Sequence, residues 1–227
     1  MLEILFVTDY VCPYCILAKE ALNRALKKTG LEAKITYQPL LLKPKPPVQF
    51  DPNDPQVIKR FETLTSAAHA LDIDMKIPVK VTPRPVSQKA FEGWYYACEQ
   101  GKGDEYADLM YRSYFVDEKD IGDPAVLRAL AESIGLNGEE YAEVLSDGRF
   151  ADTVLSKDDH SRNGLKVRGI PTLFIDGIRT QFDEYSVDEV ANVLLGIADG
   201  GSSMVCGEDG CAPAAPETGV CGKDGCK

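Results

Sequence analysis

The stretch Asp9-Tyr10-Val11-Cys12-Pro13-Tyr14-Cys15 decides the fold, because it joins two elements of different type through a pair of cysteines. Residues 2–8 before it are mostly apolar and are typical of a buried strand. After it, apolar residues recur at helical spacing from Ile16 to Leu26. The sequence therefore predicts a strand, a C-x-x-C motif and a helix, an order that is typical of thiol redox sites.

The predicted helix start gives the two thiols different roles. Cys12 is expected at the N-cap, where free backbone N–H groups and the helix dipole favour the reactive thiolate. Pro13 suits the first helical position, which needs no N–H. Cys15 follows on the same side and can resolve a mixed disulfide formed at Cys12. We therefore predict Cys12 as the nucleophile and Cys15 as the resolving thiol, with Tyr14 between them tuning the redox poise.

Two structural interpretations of the motif compete with this one. Half of a zinc site needs two further ligands, and none stands close in sequence. A structural disulfide is unfavourable at a helix start with a proline between the thiols. The redox interpretation is therefore the preferred one.

The charge and the N-terminal sequence limit the expected binding partners and cellular compartment of the protein. The chain of 227 residues carries 25 basic and 36 acidic side chains, a formal charge of −11. This charge argues against binding to nucleic acid or to an anionic membrane, and no apolar run approaches the length of a membrane span. Met1 leads directly into the predicted strand without a signal-peptide pattern, which predicts a cytoplasmic protein whose thiols are mostly reduced.

The order of the predicted elements indicates an α/β protein with a helical insertion and a tail. Asp176-Gly177 reads as a two-residue hairpin turn between two short strands, and Ser186 and Glu189 form a capping box for the last helix. The predicted elements are strand 2–8, helix 13–29, strand 33–40, helices within 56–166 that include 150–165, strands 173–175 and 178–180, and helix 186–198. The predicted parts are 1–55, the insertion 56–166, 167–198, and a flexible Gly/Ser/Ala/Pro-rich tail 199–227.

A second motif, Gly169-Ile170-Pro171-Thr172, stands immediately before the returning strand. By pattern alone, a trans proline at a strand start is favoured, since only about 5–6% of X–Pro bonds are cis. Taken with the first motif and with residues 120–123, however, the chain resembles the DsbA-type thioredoxin-fold family, and within it the cytoplasmic FrnE-like branch. The similarity covers about residues 1–198.

The resemblance implies both a fold and an activity. It implies a thioredoxin fold, β-α-β followed by β-β-α, with an inserted all-helical domain, and thiol–disulfide oxidoreductase or isomerase activity on protein disulfides. It also implies a cis peptide before Pro171, packed against the cysteine pair, with Ile170 and Thr172 in supporting positions. Tyr14 stands where many relatives carry tryptophan. No organic cofactor is implied; the expected partners are protein substrates and a thiol reductant or oxidant for recycling.

Another activity of the same fold is the main alternative. Glutathione-dependent transferases and chromene-carboxylate isomerases share this fold, but they typically carry a hydroxyl residue at the position of Cys12. The intact Cys12/Cys15 pair therefore favours disulfide chemistry. The motif does not distinguish an oxidase from a reductase or an isomerase, because these differ in reduction potential and recycling partner.

The tail carries two near-identical units, residues 205–211 and 220–226. Each contains Asp-Gly, which favours a tight turn that brings the two sulfurs together. Three interpretations stay open: redox pairs that exchange with the first motif or with other proteins, a site for zinc or another soft metal, or disulfides without catalytic importance. A metal- or redox-sensing protein that works through the tail is thus a further alternative function. The cysteines concerned are Cys206, Cys211, Cys221 and Cys226.

The remaining candidates are predicted to be structural. Cys98 shares a helix face with aromatic residues and is expected to be a buried packing thiol. Asp9 is expected at the surface of the strand end, with proton transfer to or from Cys15 as the alternative. His69 and His160 lie far from the motifs and are given no catalytic role. Arg168 either stabilises a thiolate or is a solvated charge.

Overall fold

The computed structural model describes residues 1–43, 51, 53–182, 185–200, 204–207 and 210–213, the last two ranges as backbone only. Within these ranges there are six strands, eight α-helices and one π-helical turn. In chain order they are β1 (Leu2–Thr8), α1 (Pro13–Thr29), β2 (Ala33–Pro39), α2 (Pro55–Ala70), α3 (Gln88–Glu99), α4 (Gly103–Phe115), α5 (Pro124–Ser133), α6 (Gly138–Asp147), α7 (Ala151–Asp159), the π-helical turn (His160–Gly164), β3 (Thr172–Ile175), β4 (Ile178–Thr180), α8 (Val187–Ala198), β5 (Met204–Gly207) and β6 (Gly210–Pro213).

The main sheet has the strand order β2-β1-β3-β4. β1 runs parallel to β2, with Leu2 opposite Ala33, and antiparallel to β3, with Ile4 opposite Ile175. β3 and β4 form an antiparallel hairpin. Helices α2 to α7 lie between β2 and β3 in the chain. The predicted α/β architecture with an inserted helical segment is therefore confirmed.

The sequence of β1 explains why it lies at the centre of the sheet. Leu2, Ile4 and Phe6 alternate onto one face and enter the main hydrophobic core, which also contains α1 and α8. Val7 points to the opposite face and packs with a smaller cluster that includes Leu40. Both faces of β1 are covered, so its C-terminal end at Thr8 is held firmly where the cysteine motif begins.

The helix boundaries follow local capping signals. α1 ends at Gly30, whose φ of 70° suits glycine and whose N–H bonds the Leu26 carbonyl. Asp123 and Asn137 cap α5 and α6 through their side-chain oxygens, which accept hydrogen bonds from backbone N–H groups of the first turn. Ser186 accepts a hydrogen bond from the Glu189 N–H at 3.1 Å and starts α8.

The predicted hairpin turn is also confirmed. Asp176 and Gly177 both have positive φ, 48° and 81°, as a two-residue type I′ turn requires. Asp176 also accepts a hydrogen bond from the Glu3 N–H at 2.8 Å, which ties the turn to β1. Of the described helices, none is long and apolar enough to cross a membrane.

One predicted helix is shorter than expected. The sequence predicts a helix over 150–165, but α7 ends at Asp159 and the chain continues as the π-helical turn. Ser161 in this turn is fully buried, and its Oγ donates to the Pro39 carbonyl at 2.8 Å while it accepts from Gln38 Nε2 at 2.9 Å. These contacts with β2 are long-range, so the local apolar pattern could not indicate the change.

Candidate functional site

Cys12 lies at the N-cap of α1, with Pro13 as the first helical residue. Its backbone is extended (φ −95°, ψ 117°), and its N–H bonds the Asp9 carbonyl at 3.0 Å. The Sγ atom lies 3.8 Å from the Ile170 carbonyl oxygen, to which the thiol donates. The residue is only 4% exposed. Cys12 therefore combines the predicted helix-start position with direct contact to the second motif.

Cys15 lies beneath Cys12 and is fully buried. Burial is the main reason why the pKa of its thiol is raised well above the usual value, and the neighbouring Cys12 raises it further. Hydrogen bonds from the Thr8 hydroxyl and the Asp9 backbone act in the opposite direction and lower it. The two thiols are both buried but differ in their surroundings: Cys12 keeps a small exposed surface and contacts Ile170, whereas Cys15 has none of its surface exposed.

The Ile170–Pro171 bond is cis, as the resemblance implies. Ile170 packs beside the cluster of Val7, Leu40 and Val167, and its carbonyl faces Cys12. The Thr172 hydroxyl donates to the Gly169 carbonyl at 2.8 Å. The structure therefore brings the two sequence motifs together at one end of the sheet.

Tyr14 is the exposed residue of the C-x-x-C motif, at 37% exposure. Its ring lies 6.4 Å from the ring of Tyr185, centroid to centroid. Burial raises the pKa of the Tyr185 hydroxyl, and the charges of Cys15 and Cys12 raise it further. Tyr185 was not predicted as a site residue; its position just before the N-cap Ser186 is the only local signal for it.

The expected surface position of Asp9 is wrong, because this residue is fully buried. One carboxylate oxygen accepts from the Val11 N–H at 3.3 Å and from the Ser87 hydroxyl at 2.5 Å. The other accepts from the Leu42 N–H at 2.6 Å. Burial outweighs these bonds and raises the pKa of Asp9 to about 6. Asp9 therefore ties the motif to the chain after β2 and to the start of α3.

Two hydroxyl residues near the motif were not predicted. The Thr8 hydroxyl forms a very short hydrogen bond with the hydroxyl of Tyr111, and both side chains are buried. Tyr10 is fixed to the same region, since its ring stacks on Phe91 at 4.3 Å and meets Tyr111 edge-on at 5.1 Å. Tyr111 comes from α4, so only tertiary structure brings it to the site.

Cys98 is not the buried thiol that helical spacing predicted; the residue is exposed. It lies at the end of α3, beyond the part of the helix whose face meets the core. Its sulfur occupies the space beside Gly103, where an added Cβ would come within 2.6 Å. His69, His160 and Arg168 are exposed as well, and none contacts the cysteine pair within the described residues.

The first tail unit forms the antiparallel pair β5–β6, in which Cys206 lies directly opposite Cys211. Cys221 and Cys226 lie outside the described residues. Among side chains that the structure describes, no group of three or more His, Cys, Asp or Glu residues could hold a metal ion. The tail side chains are not among them, so the redox and zinc interpretations of the tail both stay predictions.

Comparison with known families agrees with this geometry. Residues 3–195 match the family described as DSBA-like thioredoxin domain. The chain belongs to the DsbA-like thioredoxin family. The match spans the C-x-x-C motif, the motif around Pro171 and all the helices between them, so this DsbA-like chain has the fold of thiol–disulfide oxidoreductases.

Individual relatives of this DsbA-like protein give the same assignment of fold. YwbO of Bacillus subtilis (strain 168), an uncharacterized protein, is 32% identical over 170 residues, which are 74% of this chain and 84% of that protein. A probable DsbA oxidoreductase from Streptomyces coelicolor superimposes with a TM-score of 0.72 at 21% identity, covering 95% of this chain and 100% of its own. The cytosolic disulfide reductase DsbM from Pseudomonas aeruginosa, solved with GSH, gives 0.66 at 18% identity, covering 87% and 99%.

Proposed function

We propose that this DsbA-like chain is a thiol–disulfide oxidoreductase that acts on protein disulfides and can also isomerise them. One observation carries the proposal: the Cys12 Sγ lies 3.8 Å from the Ile170 carbonyl at the start of α1, with Cys15 buried behind it. A thiolate at a helix N-terminus is stabilised by the backbone N–H groups and the helix dipole. The contact places the Cys12 sulfur beside the backbone of Ile170, which a bound substrate chain would also meet.

In the reductive direction the reaction has two exchange steps. The Cys12 thiolate attacks one sulfur of a substrate disulfide, forms a mixed disulfide, and releases the other substrate sulfur as a thiolate that takes up a proton. Cys15 then loses its proton and attacks Cys12, which closes the Cys12–Cys15 disulfide and releases the second substrate thiol. The substrate gains two electrons and the cysteine pair loses them. The oxidative direction is the reverse, and neither direction needs an organic cofactor.

The peptide at Ile170–Pro171 is the proposed contact for the substrate chain. An extended substrate that brings its sulfur to Cys12 must pass beside the segment 170–172, whose buried Thr172 is fixed to Gly169. The exposed Tyr14 ring adds an apolar surface next to the sulfur. The proposal places the reaction in the cytoplasm, where thiol reductants recycle the Cys12–Cys15 disulfide.

Replacement of each cysteine tests the proposal. Cys12→Ser is expected to abolish both the reduction of insulin and the reactivation of scrambled ribonuclease. Cys15→Ala is expected to accumulate mixed disulfides on Cys12, which non-reducing gels and mass spectrometry identify. Full activity in Cys12→Ser would contradict the assignment. Saturable glutathione binding by calorimetry, without turnover of protein disulfides, would favour the glutathione-dependent alternative.

We propose in addition that the tail pairs exchange with the Cys12–Cys15 disulfide. Facing residues on antiparallel strands have Cα atoms about 4.5–5.5 Å apart, which suits a disulfide, and this supports Cys206 and Cys211 as one redox pair. In Cys15→Ala, an internal disulfide between Cys12 and a tail cysteine is the expected product. Two results together would favour the zinc interpretation over the relay. The first is that this internal disulfide does not form. The second is one bound zinc per chain by mass spectrometry, which is lost when the chain is truncated after Asp199.

A further inference from the structure

A cavity with basic walls adjoins the two motifs of the site. Its volume is about 460 Å³, and its walls come from the chain after β2, the segment before α3 and the region where α7 meets the π-helical turn. Besides two leucines, it is lined by three cations and one carboxylate: Leu41, Leu42, Lys43, Arg84, Arg162 and Asp158. We call it the basic cavity, because this local excess of positive charge stands out in a chain of formal charge −11.

The one carboxylate of the basic cavity already has its partners. Asp158 accepts hydrogen bonds from the Leu41 N–H at 2.7 Å and from Arg162 Nε at 3.1 Å. Arg162 also donates through Nη2 to the Leu41 carbonyl at 2.6 Å. These bonds pair Arg162 and hold the wall in place. Within the described part of the chain, Arg84 and Lys43 have no ion-pair partner, so they are the cations that can receive an anion.

Arg84 is well placed to bind such an anion. It stands between Pro83 and Pro85, whose rings restrict the backbone on both sides. Its Nε is buried, yet no described atom accepts a hydrogen bond from it. The Asp9 carboxylate is not that acceptor, because its bonds go to other donors. A buried N–H without an acceptor costs free energy, and a guanidinium can bind a carboxylate through Nε and one Nη together.

The basic cavity also lies close to the path proposed for the substrate. Leu42 in its wall donates its N–H to Asp9 at 2.6 Å, and the Asp9 carbonyl accepts from the Cys12 N–H at 3.0 Å. Leu42 and Ile170 both pack against the small cluster that includes Leu40. An extended chain advances about 3.3 Å per residue. A peptide bound beside Ile170 can therefore place a side chain a few residues away at the cavity.

We propose that the basic cavity binds an acidic side chain of the substrate polypeptide, a few residues from the cysteine that Cys12 attacks, with Arg84 as its main contact. The inference rests on the proposed function and specifies its substrate class: protein disulfides with Asp or Glu nearby in the sequence. The carboxylate is bound before the exchange begins and stays bound during it. It should therefore lower the substrate concentration needed for half-maximal rate without raising the limiting rate.

Matched peptide disulfides test this in the full chain with Cys98 and the four tail cysteines replaced by serine. Each peptide has one cysteine, is dimerised through it, and carries Glu or Gln at one position, up to about five residues away on either side. The reduced Cys12–Cys15 pair and the peptide disulfide become the Cys12–Cys15 disulfide and two peptide thiols. Acid quenching and chromatography measure the peptide thiol at a series of peptide concentrations.

The Glu peptides should be preferred at one or two neighbouring positions only. There, the half-maximal concentration should be about five- to twentyfold lower for Glu than for Gln, as for a partly desolvated ion pair, with the same limiting rate. Added salt should reduce this ratio. Arg84→Gln should bring it close to one, and Arg84→Lys should keep only part of it, because an ammonium lacks the planar fork.

Two further variants make the result specific. Lys43→Gln, at the exposed edge of the basic cavity, should lower the ratio about twofold, and it tests the inference even where Arg84→Gln does not fold. Arg128→Gln is the matched control. It removes the same charge from α5, where Arg128 pairs with Glu132, and should keep the parent ratio.

Three results would overturn the inference. One is an equal half-maximal concentration for Glu and Gln peptides at every position. Another is a preference that is the same at all positions or that Arg84→Gln leaves intact, since this indicates general attraction without a fixed site. The third is inhibition by millimolar succinate that Arg84→Gln relieves, without any peptide preference, which would assign the cavity to a free small carboxylate. Failure of the parent chain to reduce any peptide, Gln peptides included, would instead contradict the proposed function.

Discussion

Asp9 shows how one buried carboxyl organises the site. It accepts hydrogen bonds from the motif, from the chain after β2 and from Ser87 at the start of α3. Three donors and the nearby Arg84 all favour the ionised form, yet burial raises its pKa from 3.8 to about 6. The ionised carboxylate therefore costs folding free energy at neutral pH, which is consistent with a residue retained for positioning.

This pKa leads to a prediction about stability and pH. A carboxyl whose pKa rises on folding binds its proton more tightly in the folded state, so its contribution to stability is lost as pH rises from about 4 to about 6. Asp9→Asn removes this titration. The difference in free energy of unfolding between wild type and variant should change by about 2 kcal/mol from pH 4 to pH 7, in favour of the variant at the higher pH.

Urea unfolding at a series of pH values measures this difference. Ser87→Ala removes a hydrogen bond that favours the ionised form of Asp9. The pH range in which the Asp9 contribution to stability is lost should therefore move upwards. A difference between wild type and Asp9→Asn that stays constant over this range would contradict the prediction.

Cys98 offers a second prediction for a single residue. The residue is exposed overall, but partial desolvation of its sulfur beside Gly103, followed by the charges of Asp104 and Glu99, raises the pKa of the thiol to about 12. In a variant that retains Cys98 alone, iodoacetamide at pH 8 should react about thirtyfold more slowly than with an ordinary exposed thiol, because the thiolate is scarce. Mass spectrometry of the time course measures the rate. Asp104→Asn should increase it, and a rate equal to that of a free thiol peptide would refute the assignment.

Among the elements, local signals predicted most boundaries. The apolar alternation of residues 2–8, the caps Asp123 and Asn137, and the Asp176-Gly177 turn each act within a few residues. The π-helical turn was not predictable, because its buried Ser161 is held by residues of β2 that are more than one hundred positions away.

A prediction at this level concerns the bond between the π-helical turn and β2. Ser161→Ala should lower the free energy of unfolding by about 1–3 kcal/mol, because the buried Gln38 amide loses its partner. Combined with Gln38→Met, the loss should be smaller than the sum of the single losses, since no unpaired amide remains. Asn163→Ala, which removes only an exposed bond to Asp159, is the control with little effect. Additive losses in the double variant would contradict the coupling.

The candidate site also contains some features that local sequence signals predict and others that depend on long-range contacts. The positions of Cys12 at the helix start and of the cis peptide before Pro171 were predicted, one from helix signals and the other from family resemblance. Tyr111 and Tyr185 come from α4 and from the residue before α8, and no local pattern relates them to the motif. Thr8 is adjacent to the motif, but its hydrogen bond to Tyr111 of α4 forms only in the folded chain and could not be predicted locally.

On the scale of the whole molecule, the helical segment and the sheet share one core. A single buried cluster contains Phe6 of β1, Leu22 of α1, Phe91 of α3 and Leu194 of α8. An ion pair between Lys19 of α1 and Asp108 of α4 also connects the two parts. Because this cluster joins the sheet to the helical segment, we expect the parts bounded at 56 and 166 to unfold together.

The final prediction is therefore one cooperative unfolding transition. Trp94, the single tryptophan, lies in α3 against Tyr37 of β2, with ring centroids 5.8 Å apart, while Cys15 is buried in α1. In the chain without Cys98 and the tail cysteines, Trp94 fluorescence and alkylation of Cys15 should give the same urea midpoint. Phe91→Ala removes the stack on Tyr10 and should lower both midpoints equally, by about 3–5 kcal/mol in stability. Alkylation of Cys15 well before the fluorescence change would show instead that the sheet and the helical segment unfold separately.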